Sequence, residues 1–292
     1  ATPPVNHEET VFAALEAKKY VLCEKPLAAN LHAADKIIKK ANHYQNRLTV
    51  GYQLRYGDAI RRLTWLCNHG HLGELKYGCI QRHGTIPMRH AAGESWWGNW
   101  AVAGGGVVIT QLIHELDLLL QIFGEPDSVS AIMATRFTAI ESEDDVSGKI
   151  VFKNGAMVTV KASLNSGLLD GCFQVVGDDG QIQLPWDFST SHPDRASQSV
   201  KQLNKALPDT RPPSSSVASR IVNKIARKLA LKKEHEAISA HQRYYTTLFD
   251  AIENGLSMPV SPEEARQSLE LCAGLYESAI TGKTVQFPLS DG

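Results

Sequence analysis

Tyr20-Val21-Leu22-Cys23-Glu24-Lys25-Pro26 is the stretch on which the rest of the chain turns. A short apolar, β-branched run stops abruptly at an acid, a base and a proline. That is the pattern of a buried parallel strand presenting charge at its C-terminal end. In open α/β sheets, ligands bind just beyond such ends. Lys25, fixed by Pro26, is therefore a candidate for chemistry. A loop lysine paired with Glu24 is the plainer alternative.

Outward from that strand the chain alternates. Residues 8–19 carry Val11, Phe12, Ala14 and Leu15 as an apolar face, behind a proline pair suited to a helix entry. After the strand, residues 31–44 predict a second helix with Asn30 as its N-cap, and Leu48-Thr49-Val50 a second strand. This αβαβ order belongs to a parallel sheet. Two strands and two helices cannot cover both of its faces. Residues 1–53 read as the second half of a domain whose first half is not in the chain, and Ala1-Thr2-Pro3-Pro4, with no initiator methionine, does not read as a natural start.

Beyond an amphipathic segment at 58–69, the period changes to two. Strands are predicted at 75–83, 127–137, 146–152, 157–164 and 172–176, with shorter ones at 181–184 and 284–287. Asn154-Gly155 marks a tight hairpin. Turns rather than helices join most of these strands, so the sheet is largely antiparallel. Helices at 237–254 and 262–281 close the chain, with Gly255 and Gly282 at their C-caps. The fold class is thus α/β plus α+β: residues 1–53 as part of a parallel-sheet domain, and 54–292 as an α+β domain with helices on one face. Residues 189–233 depart in composition and read as a flexible insertion. Within them, residues 217–231 place Arg220, Lys224, Arg227 and Lys228 opposite Ile221, Ile225 and Leu229. Such a basic helix could touch a membrane surface or an acidic partner, but a solvated surface helix fits its modest apolar face better.

The formal net charge of −1 over 292 residues gives no global field for nucleic acid or an anionic membrane. Five scattered cysteines without CxxC spacing argue against a zinc site or a disulfide framework, and suit a reducing, cytoplasmic setting. The apolar run at 116–123 is too short and too polar to span a bilayer. His7, His83 and His90 lack metal-ligand spacing, so no metal site is expected.

Gly104-Gly105-Gly106 precedes a helix that ends at Gly124 and is apolar nearly all round. Thr110, His114, Asp117 and Gln121 nevertheless form one polar stripe along it. Such a stripe must be satisfied internally or face a wet cleft. His114 has the intrinsic pKa for proton transfer near neutrality. A core histidine bonded to Asp117 is the alternative. The glycines, which allow close approach of backbone to a ligand, favour function. Trp96, Trp97 and Trp100 could wall a pocket or pack a core. The chain contains no GxGxxG and no GxxxxGK[ST] phosphate loop.

These residues resemble the Gfo/Idh/MocA oxidoreductase family. The likeness rests on Ala-Thr-Pro-Pro-x-x-His at the start, on Val21 to Leu27, on Gly104-Gly105-Gly106 through Asp117, and on 249–255 with Tyr276-Glu277-Ser278-Ala279. It implies a Rossmann domain, here only its C-terminal half, followed by an open-faced, largely antiparallel sheet domain. It implies hydride transfer between NAD or NADP and the carbinol carbon of a sugar, polyol or related compound. Lys25 and His114 match the family's catalytic pair, the lysine stabilising an alkoxide and the histidine moving a proton. Pro3, His7, Glu24, Lys25 and Pro26 match the nicotinamide end of the cofactor site. Arg55, Trp100, Thr110 and His114 fall where substrate contacts are expected. A homo-dimer or homo-tetramer through the open sheet face is implied as well.

Two departures stand out. Many members carry an aspartate four residues before the histidine, where this chain has Thr110. The glycine fingerprint and the ribose-reading acid would lie before Ala1, so a raw sheet edge is expected beside 20–22 or 48–50. Both departures suit a second reading, a non-catalytic sugar-binding or partner subunit without the cofactor half.

Overall fold

The computed structural model describes residues 2–44, 47–84, 92–93, 95–164, 171–184, 187–191, 193–210 and 239–289. In chain order the elements begin with α1 (His7–Glu16), β1 (Val21–Cys23), α2 (Leu31–Ala41), β2 (Leu48–Val50), α3 (Asp58–Asn68) and β3 (Leu75–His83). A short α4 (Trp100–Ala103) and a π-helical turn (Val108–Leu112) lead into α5 (Ile113–Phe123). Strands β4 (Pro126–Ala134), β5 (Asp145–Phe152), β6 (Met157–Ser163), β7 (Cys172–Gly177), β8 (Gly180–Leu184) and β9 (Asp187–Thr190) follow. The chain closes with α6 (Pro193–Ala206), α7 (Ala240–Asn254), α8 (Pro262–Thr281) and β10 (Val285–Gln286). They divide into two compact units, one of Ala1–Tyr52, Gly78–Gly171 and Thr247–Gly292, the other of Gln53–Tyr77 and Cys172–Thr246.

In the first unit β1 and β2 pair in parallel, with Val21 opposite Leu48 and Cys23 opposite Val50. Helix α1 stops at Glu16, short of residue 19, because Lys18 turns left-handed at φ 56°. Asn30 caps α2 by accepting from the Ala33 N–H at 2.9 Å. Losing that bond in Asn30→Ala should lower stability by about 1 kcal/mol, a shift that urea denaturation would register as a lower midpoint at unchanged slope. All of β2 is buried, and its far side is tied to the Val260 loop: Thr49 Oγ1 donates to Val260 O at 2.9 Å. Among the described residues β1 has no second strand, so the raw edge lies beside 20–22 and not beside 48–50.

The same unit holds a sheet in the order β10-β4-β5-β6-β3, with β10, β4, β5 and β6 pairing antiparallel in turn. Asn154-Gly155 makes the predicted β5–β6 hairpin, Gly155 standing at φ 84°. Helix α8 packs on β4, α5 and α2, and so ties the sheet to the parallel strands. Its start carries a capping box in which Ser261 and Glu264 exchange bonds. Ile132, Lys149, Met157 and Lys161 are exposed on these strands. The strand predicted over 127–137 ends early, at Ala134. The fully buried Asp144 carboxylate accepts the N–H groups of Arg136, Phe137 and Thr138 at 2.7–2.8 Å, folding them into a turn instead. The helical stretch Trp100–Phe123 has the length and mean hydropathy (1.4) of a membrane span, but it is 83% buried within the fold. It is a core helix.

In the second unit β7, β8 and β9 form an antiparallel meander, and α3 packs against α6. The buried Arg62 of α3 donates to Asn204 Oδ1 at 2.9 Å and to Thr210 Oγ1 at 3.2 Å. The composition shift at 189 does not end regular structure, since β9 and α6 continue past it. Residues 211–238, with the basic 217–231 segment, lie outside the described residues.

Candidate functional site

The ends of the two parallel strands converge on one helix. Two residues beyond β1, the Lys25 ammonium donates to the Thr110 carbonyl at 2.5 Å. Two residues beyond β2, the fully buried Tyr52 ring meets the His114 ring edge-on, with centroids 5.8 Å apart. Thr110 lies in the π-helical turn, where Ile113 N–H reaches back five residues to Val108 O. A π turn breaks the usual i→i−4 ladder, and the site draws its lysine acceptor from that turn. Of the two readings of Lys25, the bond to Thr110 displaces the pairing with Glu24. Glu24 still acts on the amine through its field.

Burial pushes the Lys25 amine down to about 8. Glu24 and Glu115 oppose that shift, and Arg82 adds to it. His114 is buried at 7% exposure, and its neighbour Glu115 is buried at 8%. Glu115 Oε1 accepts from Arg82 Nη1 at 2.6 Å, while Arg82 Nη2 donates to Gln111 Oε1 at 3.1 Å. Burial raises the Glu115 carboxyl, and the Arg82 guanidinium works against that rise.

The polar stripe is only partly a stripe. Thr110 Oγ1 turns back to Gly106 O at 2.5 Å, Asp117 Oδ1 accepts from Ser268 Oγ at 3.0 Å, and Gln121 is exposed. Reading the glycines as room for a ligand needs correction, because protein fills each approach. A Cβ on Gly104 would stand 2.3 Å from Ala29 O, one on Gly105 2.1 Å from the Tyr276 hydroxyl, and one on Gly106 1.8 Å from Glu143 O. Glu143 is the hidden organiser of this helix start. Its carboxylate accepts from Gly106 N–H and Val108 N–H, both at 2.9 Å, and from the Tyr276 hydroxyl at 3.0 Å.

At the strand end, His7 bridges Pro26 O (3.0 Å) and Thr2 O (3.1 Å), which pins the Pro3 loop to the residue after Lys25. Trp100 is 40% exposed and stacks edge-on to Tyr276 at 5.0 Å. Arg55 lies in the Gln53–Tyr56 turn of the second unit. The structure therefore brings Lys25, Thr110 and His114 together, and His7, Pro3 and Pro26 into one loop cluster. Sequence reading passed over Tyr52, Arg82, Glu115 and Glu143. Glu115 adjoined a singled-out histidine, and Tyr52 stood just before Arg55; Arg82 and Glu143 carried no local signal.

Residues 1–52 match an oxidoreductase family with an NAD-binding Rossmann fold, and residues 60–183 match the GFO/IDH/MocA C-terminal domain. The chain belongs to the Gfo/Idh/MocA family. Inositol 2-dehydrogenase 3 of Saccharopolyspora erythraea is 28% identical over 198 residues, 66% of this chain and 55% of that protein. An inositol 2-dehydrogenase/D-chiro-inositol 3-dehydrogenase of Halalkalibacterium halodurans is 31% identical over 196 residues, 65% of this chain and 53% of its own. The chain thus spans about half the length of the curated Gfo/Idh/MocA relatives it matches. Among solved structures, the WlbA dehydrogenase of Bordetella pertussis in complex with NADH and UDP-GlcNAcA shares the fold at a TM-score of 0.77. That match has 22% identity and covers 99% of this chain and 79% of WlbA. A Rossmann-type half-sheet followed by a largely antiparallel sheet is therefore the family architecture in this chain too.

Proposed function

We propose that this chain carries the nicotinamide end and the substrate cleft of an NAD(P)-dependent oxidoreductase acting on a sugar, polyol or related carbinol. The observation that carries this reading is the convergence of Lys25 and Tyr52, from the ends of two parallel strands, on the Thr110–His114 segment. The donor set fits the nicotinamide end: a half-buried amine held on a carbonyl, beside a loop clamped by His7. No GxGxxG occurs in the 292 residues, so the chain's own residues supply no pyrophosphate cradle of that kind. Residues 1–53 are proposed as the partial cofactor domain and 54–292 as the substrate domain. Pro3, His7, Glu24, Lys25 and Pro26 would border the nicotinamide.

Bound nicotinamide would accept or supply the hydride. Lys25 holds the reacting hydroxyl and favours its oxygen as charge develops there. His114 moves the hydroxyl proton, and the edge of Tyr52 fixes the plane of its ring. Thr110 and Trp100 flank the substrate side, and Arg55 is proposed as a further contact. Only the protonated amine can stabilise an alkoxide. Since the Lys25 pKa is lowered to about 8, turnover should hold below that pH and fall as pH rises through it, about tenfold per unit beyond. A pH profile of kcat/KM that stays flat to a normal lysine pKa would sink the assignment.

The whole protein, incubated with NAD+ or NADP+ and a panel of inositols and sugars, should yield reduced nicotinamide. Thr110, which offers no carboxylate, favours the second reading of a binding subunit. Sugar binding by calorimetry without any turnover would establish that one. The mixed outer face around Ile132 and Met157 supports a homo-dimer or homo-tetramer, which sedimentation equilibrium would resolve. All five cysteines are free thiols, in keeping with a reducing cytoplasmic compartment.

A further inference from the structure

The helix that carries Thr110 and His114 has no cap of its own. Val107, at the N-cap position of its π turn, offers no side-chain hydrogen bond. The first N–H groups of a helix find no acceptors within it and must be satisfied from outside. Two residues from far along the chain do so. Glu143 Oε2 accepts from Gly106 N–H and Oε1 from Val108 N–H, both at 2.9 Å, while the Glu143 carbonyl takes Val107 N–H at 2.9 Å. The Tyr276 hydroxyl accepts from Ile109 N–H at 3.3 Å and donates to Glu143 Oε1 at 3.0 Å. Thr110 N–H, bonded to Gly106 O at 3.0 Å, is then satisfied within the turn. Each of these contacts to the Glu143 carboxylate brings a donor, which favours its ionised form at a helix N-terminus.

We propose that Glu143 and Tyr276 form a positioning clamp that fixes the orientation of the π turn, and through it the Thr110 carbonyl that receives Lys25. The inference rests on the reading of Lys25 as the residue that polarises the substrate oxygen. The clamp holds the N–H groups of residues 106–109, and the carbonyl of the very next residue accepts the Lys25 ammonium at 2.5 Å. A rotation of the turn would therefore carry that acceptor with it. Tyr276 is itself held on two sides. Its hydroxyl reaches over Gly105, where a Cβ would stand 2.1 Å away, and its ring meets Trp100 edge-on at 5.0 Å. The clamp thus ties the proposed substrate-side Trp100 and the acceptor of the lysine to one carboxylate, on a residue only 4% exposed.

The test reads the Lys25 amine in the chain as it stands, by acetylation at a fixed alkaline pH with mass-spectrometric readout. The exposed Lys149 and Lys161 serve as internal references. Tyr276→Phe removes the hydroxyl and keeps the ring beside Trp100. Lys25 should then acetylate roughly fivefold faster, the factor that corresponds to one weakened hydrogen bond, while Lys149 and Lys161 keep their rates. Glu143→Gln, whose amide turns a donor towards one of the two N–H groups, should give the same change or a larger one. Asn154→Ala is the stability control, since it removes the bonds from Asn154 to Phe123 O and to Ala156 N–H at the hairpin and leaves the clamp intact. A Lys25 rate in Tyr276→Phe that matches wild type overturns the proposal. So does an equal rise in Asn154→Ala, which would mark general loosening. In the whole protein Tyr276→Phe should also lower kcat roughly tenfold at nearly unchanged KM. The functional reading fails separately: a wild-type protein with no nicotinamide-linked turnover would overturn it, while the selective rise in Lys25 acetylation would still support the clamp.

Discussion

Replacing Gly106 with alanine should destabilise the first unit by roughly 3–5 kcal/mol. The added methyl would need space 1.8 Å from Glu143 O and 2.8 Å from Ser142 Oγ. Neither neighbour can give way cheaply. Ser142 Oγ is bonded to Gly98 O at 2.6 Å, and the Glu143 carbonyl already accepts the Val107 N–H at 2.9 Å. Moving Glu143 would also strip its carboxylate from the two N–H groups and the tyrosine hydroxyl it satisfies, leaving a buried charge short of partners. A thermal midpoint lowered by roughly 10 °C is expected for a chain of this size. Gly124→Ala is the control. Gly124 has φ 83° and ψ −143° but nothing within 4 Å of a Cβ, so only the backbone penalty of about 1–3 kcal/mol applies. Equal midpoints for the two variants would show that the close approach at Gly106 is not what holds the helix start.

Lys25→Ala should lower kcat by roughly 10²–10³ in the whole protein, the usual cost of removing one preorganised donor to a developing oxyanion. Stability should barely change, because the variant removes a half-buried amine whose one bond among the described residues is to a carbonyl. Substrate KM should move much less than kcat, since the charge Lys25 is proposed to stabilise is greatest in the transition state. Lys25→Arg should rescue little, because a planar guanidinium cannot occupy the position of a compact ammonium. A Lys25→Ala enzyme within a few-fold of wild-type kcat would remove Lys25 from the chemistry and leave it as a tie between strand and helix.

Much of the fold was legible because its signals are local. A β-branched run broken by Glu24-Lys25-Pro26, an asparagine before an amphipathic run, and an Asn-Gly between two alternating stretches each fix short-range backbone. The candidate site was legible in that Lys25 and His114, singled out on such elements, lie at one helix. It was illegible where partners lie far apart in sequence. Arg82 and Glu115 are separated by 33 positions, and Gly106 and Glu143 by 37. No periodicity links such pairs. The three glycines were read rightly as demanding close approach and wrongly as to what approaches them. Residues 135–137 look like strand by propensity, and only the buried Asp144 carboxylate folds them away.

The π-helical turn at Val108–Leu112 sets the phase of this site. An ordinary helix advances about 100° per residue, so one extra residue in a turn rotates everything before it relative to everything after. The Thr110 carbonyl and the His114 ring are therefore clocked independently, the first to Lys25 and the second to Tyr52. A single-residue deletion here would return the helix to regular winding while leaving its composition nearly unchanged. It would also carry one of the two groups around the cylinder and out of register with the strand end that meets it. In this fold the angular relation between the His114 ring and the carbonyl that anchors Lys25 is held by one surplus residue.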